Sequence, residues 1–178
     1  MENNSNISEP IRRSSDIILI GMPGCGKTTV GELLAQLTGR ELLDIDQMII
    51  RVSGMPVPQL FAQKGEMYFR LLESEVLGQA CQGIGKIIAT GGGVVTVPAN
   101  IEIMRQAGTV YYIERPLEEL ATEDRPLSSG GINGLRELFR VRQPLYLAAA
   151  HHVIHFTSYE SCAREIIGKQ NQSGHPDV

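Results

Sequence analysis

The chain has 178 residues, enough for one domain with a full hydrophobic core. Apolar residues make up 42% and charged residues 20%, the net charge is −4, and Trp is absent, so the chain lacks the basic face and stacking platforms that favour a nucleic-acid partner. Cys25, Cys81 and Cys162 are isolated and odd in number, which argues against a disulfide framework or a cysteine metal site and fits a reducing cytoplasm.

Met1 to Asp16 is polar, and the first apolar run, Ile17 to Ile20, is far too short for export or membrane spanning. Residues 1–15 are expected to form a disordered leader and residues 170–178 a flexible tail, flanking a single domain over 16–169. Ile17-Ile18-Leu19-Ile20 reads as a buried parallel strand that stops at Gly21. Val30, Leu33, Leu34 and Leu37 then recur at helical spacing until Gly39. A second short strand is predicted over 41–45, with helical pieces over 46–52 and 57–61 around the Gly54/Pro56/Pro58 break. A longer helix follows over 66–80, then a third strand over 86–89 running into Gly91-Gly92-Gly93, and a fourth over 109–113. Residues 123–133 have the Ser/Gly-rich composition of a mobile lid. A helix over 135–150 broken at Pro144, a fifth strand over 152–156 and a closing helix over 161–169 complete the chain. Strands alternating with helices imply an α/β fold with a parallel sheet covered on both faces. Ligands of such sheets sit at the carboxyl ends of the strands, where Gly21, Asp44, Asp46 and Gly91–Gly93 all fall.

Gly21-Met22-Pro23-Gly24-Cys25-Gly26-Lys27-Thr28 lies between a predicted strand and a predicted helix, the context a phosphate-binding P-loop requires. Backbone N–H groups of Gly24, Cys25, Gly26, Lys27, Thr28 and Thr29 can curl round phosphates, Lys27 can reach the β/γ-phosphates, and the Thr28 hydroxyl can ligate Mg²⁺. Cys25 reads as structural or as a site of oxidative inactivation. Asp44 and Asp46 are two residues apart. One can bind Mg²⁺ through water while the other accepts a proton from a hydroxyl nucleophile. Alternatively, Asp46 simply caps the following helix.

Arg70 and Glu73 are three apart on one helix face, so Glu73 can orient a guanidinium that grips a carboxylate, or the two form a plain surface ion pair. The three glycines at 91–93 expose backbone to a ligand or form a flexible loop. Arg125, in the lid, can stabilise charge in a transition state, and Arg142 is a second candidate anion ligand. Arg136 and Arg140 read as solvated. His151 and His155 would stand about 13 Å apart on a strand, too far for one ion.

These motifs, in this order from about Ile17 to Ile167, resemble the shikimate kinases: the P-loop, Leu43-Asp44-Ile45-Asp46, Phe61, Gly65-Glu66, Phe69-Arg70, Glu73, Gly91-Gly92-Gly93, Arg125-Pro126-Leu127 and Arg142-Gln143-Pro144-Leu145-Tyr146. The resemblance implies a three-layer P-loop NTPase fold with a five-stranded parallel sheet in the order 2-3-1-4-5. It implies ATP-dependent phosphorylation of the shikimate 3-hydroxyl in aromatic amino-acid biosynthesis, with Mg²⁺ and ATP, by a cytoplasmic monomer. By matching position, Arg70 and Arg142 would hold the shikimate carboxylate, Asp46 and the Gly91–Gly93 backbone the ring hydroxyls, and Phe61 and Phe69 the ring faces. Asp46 would be the catalytic base, Lys27 and Arg125 would neutralise the transferring group, and Thr28 with Asp44 (through water) would hold the metal. The chain departs from the family pattern in three places. Residues 115–124 are a few positions short and carry Thr122-Glu123-Asp124 where a basic residue usually meets the adenine. The proline common near residues 157–161 is missing, and Ser128 replaces the second Leu of the lid. These departures predict weak adenine discrimination or a raised KM for ATP. A gluconate kinase with the same cradle, and a regulator that binds nucleotide without catalysis, are the alternative readings.

Overall fold

A computed structural model describes residues 15–120 and 131–173. Five parallel strands form one sheet in the order β2-β3-β1-β4-β5, with helices on both sides. The central strand β1 (Asp16–Ile20) is buried at every position, as its continuous apolar run requires. It pairs with β3 (Ile87–Ala89) in the register Ile17↔Ile87 and with β4 (Gly108–Glu114) in the register Ile18↔Val110. β2 (Leu42–Asp44) and β5 (His152–His155) are the edges. Asp16 is fully buried at the start of β1, where one carboxylate oxygen accepts from the Lys86 N–H at 2.8 Å.

Helix α1 (Lys27–Thr38) follows β1 and stops at Gly39, whose left-handed backbone donates to the Ala35 carbonyl. It packs beside α7 (Tyr159–Ser173). Helix α2 (Ile45–Ser53) starts directly at the end of β2, so the strand is shorter than the sequence predicts and Ile45 is already helical. Its cap is Asp44, which accepts from the Gln47 N–H at 3.0 Å; the capping role weighed for Asp46 belongs to its neighbour, and Asp46 lies in the first turn. The two helices predicted over 57–61 and 66–80 are found as the two arms of α3 (Val57–Ala80), separated by a kink at Gly65, whose non-helical φ 80°, ψ 170° is a conformation that favours glycine.

After a 3₁₀ turn at Val94–Thr96 comes α4 (Pro98–Ala107), which the sequence reading does not predict. It buries only Asn100 and Met104, too thin a stripe to stand out as periodicity. A short helix α5 (Leu117–Leu120) follows β4. Helix α6 (Gly131–Ala149) runs straight through Pro144 instead of breaking there. Pro144 and its would-be acceptor Arg140 are both exposed, while Leu135, Tyr146 and Ala149 anchor the opposite face in the core. Helix α7 begins two residues earlier than predicted and continues through Ser173, past the boundary expected at Lys169. The first fourteen residues and the lid segment 123–130 lie outside the described residues, whereas 131–133 open α6. Among the described residues no helix is long and apolar enough to cross a membrane.

Candidate active site

The carboxyl ends of β1, β2 and β3 open into a cavity of about 550 Å³. Pro23, Gly24, Gly26, Lys27, Thr28 and Thr29 line one side of it. The loop is shaped by glycines, with Gly24 at φ 77° and Gly26 at φ 100°, conformations in which a side chain would be strained. Lys27 is 7% exposed, and its Nζ donates to the carbonyls of Gly21 and Met22, each at 2.9 Å. The ammonium is therefore folded back along its own loop, on the floor of the cavity. The Thr28 hydroxyl donates to Asp44 Oδ2 at 2.7 Å, so the two proposed metal-side oxygens are adjacent. Cys25 is fully buried, with its Sγ 3.7 Å from Lys27 Nζ; a sulfur so shielded is a core side chain and not an accessible oxidation site.

Opposite the loop stand Asp46, Phe61, Phe69, Arg70, Glu73, the Gly91–Gly93 run and Arg142. Burial raises the Asp46 pKa, Asp44 raises it further, and the charges of Lys27 and Arg70 oppose the shift. Arg70 donates to Glu73 Oε2 at 2.6 Å and more weakly to exposed Glu66 Oε1 at 3.4 Å. The Arg70–Glu73 pair is not a surface pair, since Glu73 is fully buried. Burial pushes the Glu73 carboxyl up, against the charge and hydrogen bond of Arg70. The Phe61 and Phe69 rings lie 4.4 Å apart at 33°, and the Arg70 guanidinium sits 5.1 Å from the Phe69 centroid.

The glycine run fits closely against this cluster, so that a side chain at 91 or 93 would have to displace its charged groups. A Cβ at Gly91 would stand 2.7 Å from Glu73 Oε1 and 2.9 Å from Asp46 Oδ1, and one at Gly93 would overlap the Arg70 guanidinium. The flexible-loop alternative is thereby replaced by close backbone approach. Arg142 lines the same cavity and its charge acts on Glu73. Arg140 instead pairs with exposed Glu137 at 2.7 Å. Arg125 lies outside the described residues.

Several residues of the site escaped the sequence reading. Leu135 and Leu138 of α6 line the cavity, and so does Tyr159, whose ring covers the Cα of Gly26. Tyr159 is braced by Phe156 (centroids 5.1 Å apart, 74°) and by Arg115, whose Nη1 donates to its hydroxyl at 3.2 Å. The rule that ligands gather at the carboxyl ends of strands would have pointed to it, just beyond β5. The histidines serve the sheet edge. His151 Nδ1 accepts from the Val110 N–H at 2.9 Å, His152 stacks on Tyr111, and His155 meets Glu114 at 2.9 Å.

Comparison with known proteins points to one family. The family model for shikimate kinase matches residues 23–170. A shikimate kinase of Nitrosomonas europaea is 42% identical over 167 residues, 89% of this chain and 79% of that one. A shikimate kinase of Acinetobacter baylyi is 40% identical over 158 residues, 85% of this chain and 87% of that one. The solved structure of shikimate kinase from Acinetobacter baumannii in complex with shikimate superposes with a TM-score of 0.85 at 36% identity, covering 90% of this chain and 95% of that one. With a matching sheet order, a P-loop and an arginine–carboxylate–glycine cluster facing it across one cavity, this chain belongs to the shikimate kinase family.

Proposed function

We propose that the chain transfers the γ-phosphoryl group of ATP to the 3-hydroxyl of shikimate, giving shikimate 3-phosphate and ADP, as a step of aromatic amino-acid biosynthesis. The observation that carries this reading is the convergence of Asp46, Arg70, Gly91–Gly93 and Arg142 opposite Lys27 in one cavity. Arg70 and Arg142 take the carboxylate of the acceptor, because a guanidinium matches its two oxygens in a fork. Arg70 is pre-set for this by Glu73. The Gly91–Gly93 backbone and Asp46 take the ring hydroxyls, and Phe61 and Phe69 face the ring.

Asp46 acts as the base. The proton of the 3-hydroxyl passes to its carboxylate as the new O–P bond forms and the bond between the γ-phosphorus and the β-bridging oxygen breaks. The burial that raises the Asp46 pKa makes it a better proton acceptor than a solvated aspartate. Lys27 turns from the Gly21 and Met22 carbonyls to the β/γ-phosphates, and Arg125 adds positive charge from the lid. Thr28 and Asp44 present adjacent hard oxygens of the kind Mg²⁺ takes in kinases, Asp44 through water; the ion neutralises charge on the β/γ-phosphates when bound. Tyr159 contributes an aromatic face on the nucleotide side, beside Gly26.

An ADP-release assay with shikimate, with gluconate and with no acceptor tests the assignment. Turnover with shikimate alone is expected. Turnover only with gluconate would overturn the acceptor, and none with any acceptor would overturn catalysis.

A further inference from the structure

Tyr146 is fully buried on α6, one turn beyond Arg142, and its ring stacks on Tyr112 of β4 with centroids 5.0 Å apart at 23°. Its hydroxyl donates to the Gly92 carbonyl. The Met22 sulfur, 3.9 Å from the same oxygen, is a far weaker acceptor, so the single phenolic proton goes to the carbonyl. We propose that Tyr146 is a positioning residue that aims the Gly93 N–H into the acceptor side of the cavity by holding the Gly92 carbonyl.

Peptide planarity couples the two groups. The Gly92 carbonyl and the Gly93 N–H belong to one rigid unit and point in opposite directions, so anchoring the first sets the second. Three successive glycines have no side chains to limit their backbone angles, so the orientation of this unit needs an outside hold. The neighbouring carbonyls are held locally, Gly91 by the Val94 N–H at 3.3 Å and Gly93 by the Thr96 N–H at 3.0 Å. The Gly92 carbonyl turns to Tyr146 instead. Among the described residues none accepts from the Gly93 N–H, and Gly93 lies directly against the Arg70 guanidinium. The freed donor thus stands beside the arginine that takes the acceptor's carboxylate. Because Arg142 and Tyr146 share one helix face, α6 supplies both an anion ligand and the clamp on the opposite wall.

This inference rests on the shikimate reading for the identity of the acceptor, but not for the clamp itself. The test is Tyr146→Phe, which keeps the ring and its stacking and removes only the hydroxyl. The Gly93 amide resonance is expected to move and its hydrogen exchange to accelerate, while the Gly24 and Lys27 amides stay in place. The shikimate Kd and KM should rise about 3- to 10-fold, the loss of one ordinary hydrogen bond, with the ATP KM within about twofold of wild type. An unmoved Gly93 amide would overturn the clamp. A moved amide with an unchanged shikimate Kd would overturn its role in acceptor binding, and an equal rise in both substrate KM values would show general loosening instead. If the wild-type protein does not bind shikimate at all, the proposed function falls, and the amide measurement still decides the clamp.

Discussion

Arg70 meets two carboxylates of very different character. Glu66 is exposed and 3.4 Å away, so its contribution is small, whereas Glu73 is buried and, among the described residues, pairs with the Arg70 guanidinium alone, at 2.6 Å. Removing the guanidinium therefore does two things. In the proposed function it takes a fork of donors from the acceptor's carboxylate, and it leaves Glu73 buried beside Asp46 with only the more distant charge of Arg142 to offset it, which drives its pKa further up. Arg70→Ala is expected to raise the shikimate KM by roughly 30- to 1,000-fold, the equivalent of about 2–4 kcal/mol of charged pairing, while ATP binding persists. Steady-state kinetics in both substrates, with a thermal melt to confirm folding, measure it. An unchanged shikimate KM would remove Arg70 from the site.

At the scale of elements, legibility followed the strength of the local signal. β1 was plain because Ile17 to Ile20 is apolar on both faces, as a central parallel strand must be. The end of α1 was plain because Gly39 takes the left-handed cap. Arg70, Glu73 and the glycine run were legible as chemistry, but their convergence was not, since it depends on the kink at Gly65 and on the packing of α3 against the 3₁₀ turn at Val94–Thr96. α4 hid because it buries two residues, and the continuation of α6 through Pro144 was decided by tertiary anchors. Tyr159 and Tyr146 carried no motif that spacing alone could mark as functional. The β4–β5 edge shows how such context sets a titration. The Val110 N–H donates to His151 Nδ1 at 2.9 Å, and the His151 N–H donates to the Val110 carbonyl at 2.8 Å. The first bond exists only while Nδ1 is unprotonated. Burial, then Arg105 and His152, hold the His151 pKa below its ordinary value of 6.5. The folded state thus favours the neutral ring, so this contribution is complete above the ordinary value and is lost as pH falls through the lowered one. Urea midpoints at pH 7.5 and 5.5 should differ more in wild type than in His151→Gln, and equal differences would remove His151 from the pH response.

Across the whole molecule, the sheet order separates the proposed nucleotide and acceptor sides of the cavity. The P-loop leaves the central strand β1, the acceptor groups come from the β2 and β3 side with α3 and α6, and Tyr159 comes from the end of edge strand β5. In the proposed function phosphate is held by backbone and Lys27, which are indifferent to the base at the other end of the nucleotide. On the nucleotide side, Tyr159 offers a ring fixed by Phe156 and Arg115. Arg115 is committed to Tyr159 and to Glu119 at 3.0 Å, so its guanidinium serves the platform and does not reach for a base edge. Thr122-Glu123-Asp124, which lies outside the described residues, is expected from the family resemblance to stand where a basic residue usually meets the adenine. Stacking on an aromatic face contributes about 1–3 kcal/mol per base and does not choose between purines, because every base has a π-face. ATP and GTP are therefore expected to support shikimate-dependent turnover with KM values within about tenfold of one another. Tyr159→Ala should raise both by similar factors, roughly 5- to 150-fold from the loss of stacking, and leave the shikimate KM unchanged. A wild-type preference for ATP of a hundredfold or more would mean that a hydrogen bond reads the base edge, since unpaired polar groups in a fitted site discriminate on that scale and a flat ring does not.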